Sequence, residues 1–186
     1  CRDLSQGGEG YEQMDALAGR EPAMSKGVFF YPHMAGTQFP RTDDRMRGAF
    51  IGAGLYSTRG SFIRAVMEGV GYMLRESLEA MGEAPDRIVS LGGGAKSPLW
   101  CQIKSEICGS PVAVPKQTES TSLGAAILGA VGVGAYASIE EAAAVVQEGE
   151  IFHPERERIS VYRKGYETYK KMYWALEALY GKGGED

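Results

Sequence analysis

The residues best suited to bind a ligand are three consecutive glycines within residues 87–102, RIVSLGGGAKSPLWCQ. Before them, Ile88 to Leu91 predict a short buried strand, and after them a helix is expected to begin near Ser97. Glycines let a ligand approach the backbone, and the N–H groups and dipole of a helix N-terminus favour phosphate. The segment therefore predicts a cradle for an anion or a nucleotide.

Two other nucleotide-binding motifs match the chain less well. A P-loop carries glycine directly before its lysine, whereas Ala95 precedes Lys96 here. Gly52 and Gly54 stand in a GxGxxS pattern after a possible strand. A dinucleotide site would also need an acidic residue at the end of the next strand to bind the ribose. That strand ends at Leu91 and is followed by glycines, so the acidic residue is missing. We therefore expect Gly52 and Gly54 to mark a bend where backbones approach closely, with a nicotinamide oxidoreductase as the less favoured alternative.

Other chemistry-bearing side chains are isolated along the chain. Asp43 and Asp44 are adjacent in a loop and are interpreted as turn residues rather than a catalytic pair. His33 follows a proline near a strand end, where packing or a surface position is expected, and His153 has no neighbouring ligand. Lys96 is as compatible with a solvated position as with a phosphate contact. No metal site is predicted, since the chain has no CxxC and only these two histidines.

The cysteines predict no disulfide. Cys101 and Cys108 lie seven residues apart on one predicted helix, two turns from each other and too distant to be bridged. Cys1 completes an odd set of three. Reduced thiols favour a cytoplasmic location.

Composition narrows the classes of partner. A net charge of −4 and the absence of a Lys/Arg run argue against a nucleic-acid-binding surface. The longest apolar stretch, residues 123–137, has 15 residues and is rich in glycine, so no membrane span is predicted. The N-terminus shows no signal peptide. The chain begins with Cys rather than Met and has the length of one domain, so it is expected to be a piece of a longer protein.

The apolar and turn patterns place the cradle among alternating strands and helices. Strands are predicted at 27–34, 48–55, 87–91 and 111–115. Helices are predicted at 11–18, from Ser57 or Thr58 to about 82, from 97 to 108, from about 120, from 138 to about 147, and in the last segment. The alternation indicates an α/β fold with helices flanking a largely parallel or mixed sheet.

Two of these helices carry distinctive faces. Gly124, Ala125, Ala126 and Gly129 give the helix from about Ser120 a thin surface for close packing. The last helix carries a seam spaced by alternating steps of four and three, formed by Tyr162, Tyr166, Tyr169, Tyr173, Leu176 and Tyr180. Such a seam is expected to dock onto the domain, although an interface in a homodimer stays open. Residues 181–186 are expected to be disordered.

Several segments, taken in order, resemble the C-terminal half of the FGGY carbohydrate kinases, and xylulokinase-like members are the most similar. The similarity covers about residues 10–180 and rests on the combination of SLGGGAKSPLW, the ExxxLGAA element at Glu119 to Ala126 and the Arg47-Gly48-Ala49 turn. The segments that carry it are GVFFYPHMAGTQFPRTDDRMRGAFIG, FIRAVMEGVGYMLRESLEAM, SLGGGAKSPLW, PVAVP and ESTSLGAAILGAVGVGAY.

The resemblance implies an actin-like, ribonuclease-H-type ATPase fold, in which residues 1–186 are the C-terminal nucleotide-binding domain. It implies ATP with Mg²⁺, transfer of the γ-phosphoryl group to a sugar hydroxyl, and a sugar held mainly by an N-terminal domain. The residues that would line the adenosine side of the ATP site are Gly92, Gly93, Gly94, Ala95 and Ser97.

The sequence departs from the family pattern in two places. Thr37-Gln38-Phe39-Pro40 stands where the sugar kinases commonly carry Glu-Arg-Thr-Pro, which leaves the identity of the sugar open. The family's catalytic aspartate and threonine-containing phosphate loop lie upstream, and nothing in residues 1–26 resembles them. No catalytic residue is therefore assigned here, and the chain alone is expected to be inactive. The alternative is a non-catalytic actin-like module that binds a nucleotide or a partner.

Overall fold

The computed structural model of this chain describes residues 10–117 and 120–180. Residues 1–9, 118–119 and 181–186 lie outside the described residues, and with them Cys1, Glu119 and the predicted disordered tail. The helices are α1 (Tyr11–Gly19), α2 (Arg59–Met81), α3 (Pro98–Cys108), α4 (Ser120–Gly132), α5 (Ile139–Ala143) and α6 (Arg156–Tyr180). The strands are β1 (Phe29–Tyr31), β2 (Ala49–Ile51), β3 (Ile88–Val89), β4 (Val112–Val114) and β5 (Glu150–Phe152).

Helix α2 begins and ends where its sequence predicts. The Thr58 side chain accepts a hydrogen bond from the Ser61 N–H at 3.1 Å, and the Ser61 hydroxyl accepts one from the Thr58 N–H at 3.2 Å. This reciprocal pair satisfies backbone donors that a helix N-terminus leaves free. Gly82 ends the helix in the left-handed conformation with φ 72°. Local capping thus fixes both ends of the longest element before the glycine turn.

The described strands form two small sheets. In the first, β1 and β2 are antiparallel, with Phe29 opposite Ile51. In the second, in the order β3-β4-β5, β3 and β4 are parallel and β4 and β5 antiparallel. The mixed sheet is confirmed, and among the described strands its parallel part is the pair β3 and β4. Strand β5 was not predicted, since three half-exposed or exposed residues at an edge give no alternating apolar pattern.

Helix α5 is shorter than its sequence predicts. The Ser138 hydroxyl accepts a hydrogen bond from the Glu141 N–H, as expected of a cap, but the helix ends at Ala143 instead of near Gln147. The Gln147 carbonyl accepts a hydrogen bond from the Lys116 N–H at 3.2 Å, and its N–H donates to the Gln117 side chain. These bonds hold Gln147 beside the residues that follow β4. They replace the hydrogen bonds that a further turn of α5 would make.

The aromatic seam of α6 packs into the core, as predicted. Its first five members are buried, with exposures of 0 to 6%, whereas Tyr180 at the helix end is 37% exposed. Tyr169 lies 5.2 Å from Tyr72 of α2 and 5.0 Å from Tyr31 of β1, measured between ring centroids. The seam therefore joins α6 to the central helix and to the first sheet.

Two glycines set how closely α2 approaches its neighbours. A Cβ at Gly69 would collide with the Phe30 carbonyl of β1, and one at Gly71 would lie 2.6 Å from the Ile107 side chain of α3. Alanine at either position would therefore push apart elements that now touch. The close packing holds α3 in place, with the glycine turn before it. None of the described helices has the length and hydropathy to cross a membrane.

Candidate functional site

The glycine run forms a tight turn between β3 and α3. After β3, the Ser90 N–H donates to the Ala113 carbonyl at 2.9 Å and extends the pairing with β4. Gly92 then adopts φ 72° and ψ −156°, a conformation that only glycine adopts readily. A single 3₁₀ turn follows at Gly93–Ala95, in which the Ala95 N–H donates to the Gly92 carbonyl at 3.1 Å. The predicted strand, glycine turn and helix are all present, but the expectation of a buried strand over Ile88 to Leu91 is wrong: β3 has two residues, and Val89 and Leu91 are 51% and 46% exposed.

The glycines of the turn face different surroundings. A Cβ at Gly93 would meet no atom within 4 Å, so the space beside this residue is open. A Cβ at Gly94 would instead lie 3.4 Å from the Trp100 ring, which places this side of Gly94 toward the protein. Gly92 also faces open space, but its positive φ independently requires glycine. Room for a ligand is therefore found at Gly92 and Gly93.

The remaining predicted residues support the turn more than they line it. Ala95 is 6% exposed, so its methyl group belongs to the interior. The Ser97 hydroxyl accepts a hydrogen bond from the Trp100 N–H at 3.0 Å and caps α3, with Pro98 in the first turn. Lys96 is exposed, in agreement with a solvated position. Residues Gly92 to Ser97 therefore form one turn, in which Gly92 and Gly93 face open space while Ala95 and Ser97 stabilise the turn and the start of α3.

Three side chains of α3 form a floor beneath the turn, and the sequence analysis missed this role. The Trp100 indole N–H donates to the Met67 carbonyl of α2 at 3.0 Å, which fixes the ring under Gly94. The Cys101 thiol lies 3.7 Å from the Ala95 carbonyl, and burial raises its pKa. The Lys104 ammonium donates to the Ser90 hydroxyl at 2.5 Å. Only the spacing of Trp100 and Lys104 by four residues on one helix signalled a shared face.

The second glycine motif is structural. Gly52 has φ 84°, and a Cβ there would collide with the Gly27 carbonyl, so backbones approach closely at Gly52 as predicted. The same expectation is wrong for Gly54, where a Cβ would meet no atom within 4 Å. Among the described residues, β2 pairs only with β1, in antiparallel sense. A dinucleotide site follows a parallel strand in a strand–helix–strand unit, so this geometry does not favour the nicotinamide alternative.

The adjacent aspartates also have structural surroundings. Asp43 accepts hydrogen bonds from the Arg45 N–H at 3.0 Å and from the Arg45 side chain at 3.3 Å, while Asp44 is exposed. These bonds, the backbone one above all, lower the pKa of Asp43. The interpretation of the pair as turn residues agrees with this geometry. The two aspartates also line an open cavity of about 500 Å³, together with Tyr173 and Glu177.

His33 is a packing residue. It is 6% exposed, and its ring lies 4.6 Å from that of Tyr31. Burial lowers the pKa of His33, which favours the neutral imidazole. Within residues 10–117 and 120–180, no three His, Cys, Asp or Glu side chains are grouped so that they could hold a metal ion.

Known proteins share both the sequence and the fold. Residues 2–133 match the family model "FGGY family of carbohydrate kinases, C-terminal domain". The xylulose kinase of Staphylococcus epidermidis is 36% identical over 175 residues, which cover 92% of this chain and 35% of that kinase. The glycerol kinase of Saccharolobus islandicus is 34% identical over 180 residues, which cover 90% of this chain and 36% of that kinase.

A solved structure gives the same result. The gluconate kinase of Lactobacillus acidophilus superposes with a TM-score of 0.85 at 26% identity, over 96% of this chain and 37% of that protein. The chain therefore spans about a third of the length of the relatives it matches. Its fold is the actin-like ATPase fold, as the resemblance implied. The family match over more than half of the chain, together with the glycine turn between β3 and α3, shows that the chain belongs to the FGGY family of carbohydrate kinases.

Proposed function

We propose that this chain forms the adenosine side of the ATP site in an enzyme that phosphorylates a sugar or polyol. The observation that carries the proposal is the turn at Gly92 and Gly93, which is open to solvent and lies between the end of β3 and the capped N-terminus of α3. Glycine leaves room for a nucleotide against the backbone, and the helix N-terminus favours its phosphates. Residues 1–186 would then be the nucleotide-binding C-terminal domain.

In the proposed reaction, the catalytic aspartate would lie outside this chain. A sugar oxygen bonds to the γ-phosphorus of ATP, the bond from that phosphorus to the β,γ-bridging oxygen breaks, and an aspartate upstream of this chain accepts the hydroxyl proton. Mg²⁺ would be held mainly by the ATP phosphates, since the described residues contain no group of three His, Cys, Asp or Glu side chains that could bind a metal ion by itself. Positioning and charge stabilisation dominate such transfers, so closure of two domains would complete the site.

Helix α4 supports a second domain as the partner. Its sequence is apolar on every side, yet none of its described side chains is buried, and Leu128 is 60% exposed. A helix that is apolar all round is usually an interior helix. The relatives are almost three times longer than the matched region. We therefore propose that the N-terminal domain of the same polypeptide packs against the exposed surface of α4.

A xylulose-like sugar is the proposed acceptor. Xylulose kinases are among the similar proteins, at 36% and 33% identity, together with a gluconokinase at 32% and a glycerol kinase at 34%. The acceptor pocket would lie mainly on the N-terminal domain, so the intact protein must be assayed with ATP and a panel of xylulose, gluconate and glycerol. Absence of phosphorylation in an intact protein that binds ADP would favour the non-catalytic nucleotide-binding module.

The nucleotide site is tested by Gly93→Val. Because a side chain at Gly93 meets open space, the variant should fold normally while filling the volume that adenosine requires. We expect at least about tenfold weaker ADP binding by calorimetry, equal to about 1.4 kcal/mol. Gly54→Val is the matched control, since Gly54 also faces open space but lies in the other glycine motif. Unchanged ADP binding in Gly93→Val, or a preference for NADH that Gly54→Val removes, contradicts the assignment.

A further inference from the structure

Lys104 is a buried lysine directly beneath the glycine turn. It is 9% exposed, and its ammonium donates to the Ser90 hydroxyl at 2.5 Å and lies 3.5 Å from the Gly94 carbonyl. The Trp100 ring centroid is 5.7 Å away. One cation thus contacts the end of β3, the middle of the turn and the aromatic ring of the floor.

The polar partners of Lys104 are all uncharged. Its contacts among residues 10–117 and 120–180 are a hydroxyl, a carbonyl, the Cys101 thiol and an aromatic ring, with no carboxylate in an ion pair. Buried charges are normally paired, because leaving water costs several kcal/mol for each ion. Burial accordingly lowers the pKa of Lys104. A negative charge brought close to the turn would offset this cost.

A charge beneath the turn would act on one part of a nucleotide only. Adenine and ribose are uncharged, whereas the phosphates of ADP are anionic. Because Lys104 is buried, water and salt screen its charge less than they would screen an exposed one, so it attracts an anion bound at the turn more strongly than a surface lysine would. A hydrogen-bonded brace without charge would instead affect adenosine and ADP alike, since both need the same turn conformation.

We propose that Lys104 is a positioning residue that gives the turn its preference for phosphorylated nucleotides, by placing a positive charge beneath the backbone at Gly92–Ala95. The inference rests on the proposed nucleotide site and adds to it a residue that the turn motif does not contain. The ammonium lies against the turn from within, so it acts through its electric field rather than by touching the reacting atoms.

Calorimetry with adenosine and with ADP tests this inference on the intact protein that carries the chain. The wild-type protein should bind ADP more tightly than adenosine. Lys104→Met removes both charge and hydrogen bonds, whereas Lys104→Gln removes the charge but keeps a donor for Ser90. Both variants should weaken ADP binding about tenfold and change adenosine binding less than about twofold. Lys164→Met removes an exposed charge on α6 and should change neither affinity.

The outcomes separate the two proposals. Failure of the wild-type protein to bind either ligand overturns the nucleotide site itself. Equal wild-type affinities for ADP and adenosine, or equal losses for both ligands in Lys104→Met and Lys104→Gln, overturn the role of the Lys104 charge and leave the nucleotide site standing. Full recovery of ADP binding in Lys104→Gln would assign the effect to hydrogen bonding and likewise overturn it. If Lys104→Met fails to fold, Lys104→Gln and the wild-type affinity ratio still decide.

Discussion

Arg64 and Glu68 form an ion pair in the interior, where both side chains are at most 3% exposed. Glu68 accepts hydrogen bonds from the Arg64 Nε at 2.8 Å, the Tyr162 hydroxyl at 2.9 Å, the Ser25 hydroxyl at 2.7 Å and the Met24 N–H at 2.9 Å. The pair therefore ties α2 to α6 and to the segment before β1. With the carboxylate so fully bonded, loss of one partner should cost far more than loss of the whole pair.

Glu68→Gln should lower the free energy of unfolding by about 3 kcal/mol or more, because it leaves the buried Arg64 charge without its counter-ion. The double variant Arg64→Met/Glu68→Gln should lose less than Glu68→Gln alone. Glu167→Gln breaks an exposed pair with Lys170 and should change stability by less than about 1 kcal/mol. Denaturant titration measures all three, and equal effects for Glu68→Gln and Glu167→Gln would contradict the buried-pair argument.

His33 should make the protein less stable in mild acid. Burial lowers its pKa in the folded state, so below the unfolded value of about 6.5 the unfolded chain binds a proton more readily than the native protein. The stability that neutral His33 contributes is present above that pH and is lost as the pH falls through the folded pKa. His33→Gln should therefore lose less stability than the wild type between about pH 7.5 and pH 5.

Unfolding free energies measured across that range check the sign, and His153→Gln is the matched control because His153 is exposed. A wild-type profile parallel to that of His33→Gln would show that His33 does not contribute to the pH dependence.

At the scale of elements, α2 is the support for the candidate site. Its glycines allow contact with β1 on one side and with α3 on the other, and the Met67 carbonyl accepts the Trp100 indole N–H. The position of the glycine turn therefore depends on how α2 packs against α3 and Trp100. A small displacement of α2 should therefore also move the Trp100 ring beneath the turn.

Gly69→Ala should lower the free energy of unfolding by about 2 kcal/mol, since the added methyl group collides with the Phe30 carbonyl, which is backbone and has little freedom to move. Gly54→Ala is the control, because a methyl group there meets open space and should change stability by less than about 0.5 kcal/mol. Thermal or chemical unfolding compares the two variants. A neutral or stabilising Gly69→Ala would show that α2 and β1 are not in close contact in solution.

The N-terminus of α3 offers a second test at this scale. Ser97→Ala removes the hydroxyl that accepts the Trp100 N–H and should cost about 1 kcal/mol of stability, whereas Ser97→Thr should retain most of it. Chemical denaturation distinguishes the two variants. Equal loss in both would mean that the cap is not formed.

At the scale of the whole molecule, α4 is an apolar helix whose surface the described chain leaves exposed. It packs mainly against the short helix α5; its Leu128 is 60% exposed, and Val133, which directly follows its last residue, is 83% exposed. So much exposed apolar surface on one helix is typical of an interaction site. In the proposed enzyme, this surface is where the two domains would meet.

Leu128→Asp should change the stability of this chain by less than about 0.5 kcal/mol, because Leu128 is 60% exposed within it. In the intact protein, the same charge would be buried between domains, so we expect a lower melting temperature and at least about tenfold lower sugar-kinase activity. Leu179→Asp, at a residue of α6 that is 70% exposed, is the matched control. Equal melting temperatures and activities for the wild type and Leu128→Asp would contradict the domain contact.

The sequence alone determined the local features. Thr58, Gly82 and Ser97 mark helix ends through bonds between near neighbours, and the glycine run follows a short apolar strand. Such features depend on a few consecutive residues, so their pattern is legible without the fold. The tyrosine seam of α6 was equally readable, because its spacing repeats over several turns. The order of the motifs along the chain indicated the family.

Only the tertiary structure decided which groups are buried together. Arg64 and Glu68 have the spacing of an ordinary surface pair, yet long-range packing encloses them with Tyr162. Strand β5 exists because β4 offers an edge for antiparallel pairing, and its own residues carry no strand pattern. Gly93 faces open space and Gly94 faces Trp100, a difference set by where α3 lies. Lys104 became visible beneath the turn for the same reason: burial and proximity arise from contacts between distant segments, which periodicity in one segment does not encode.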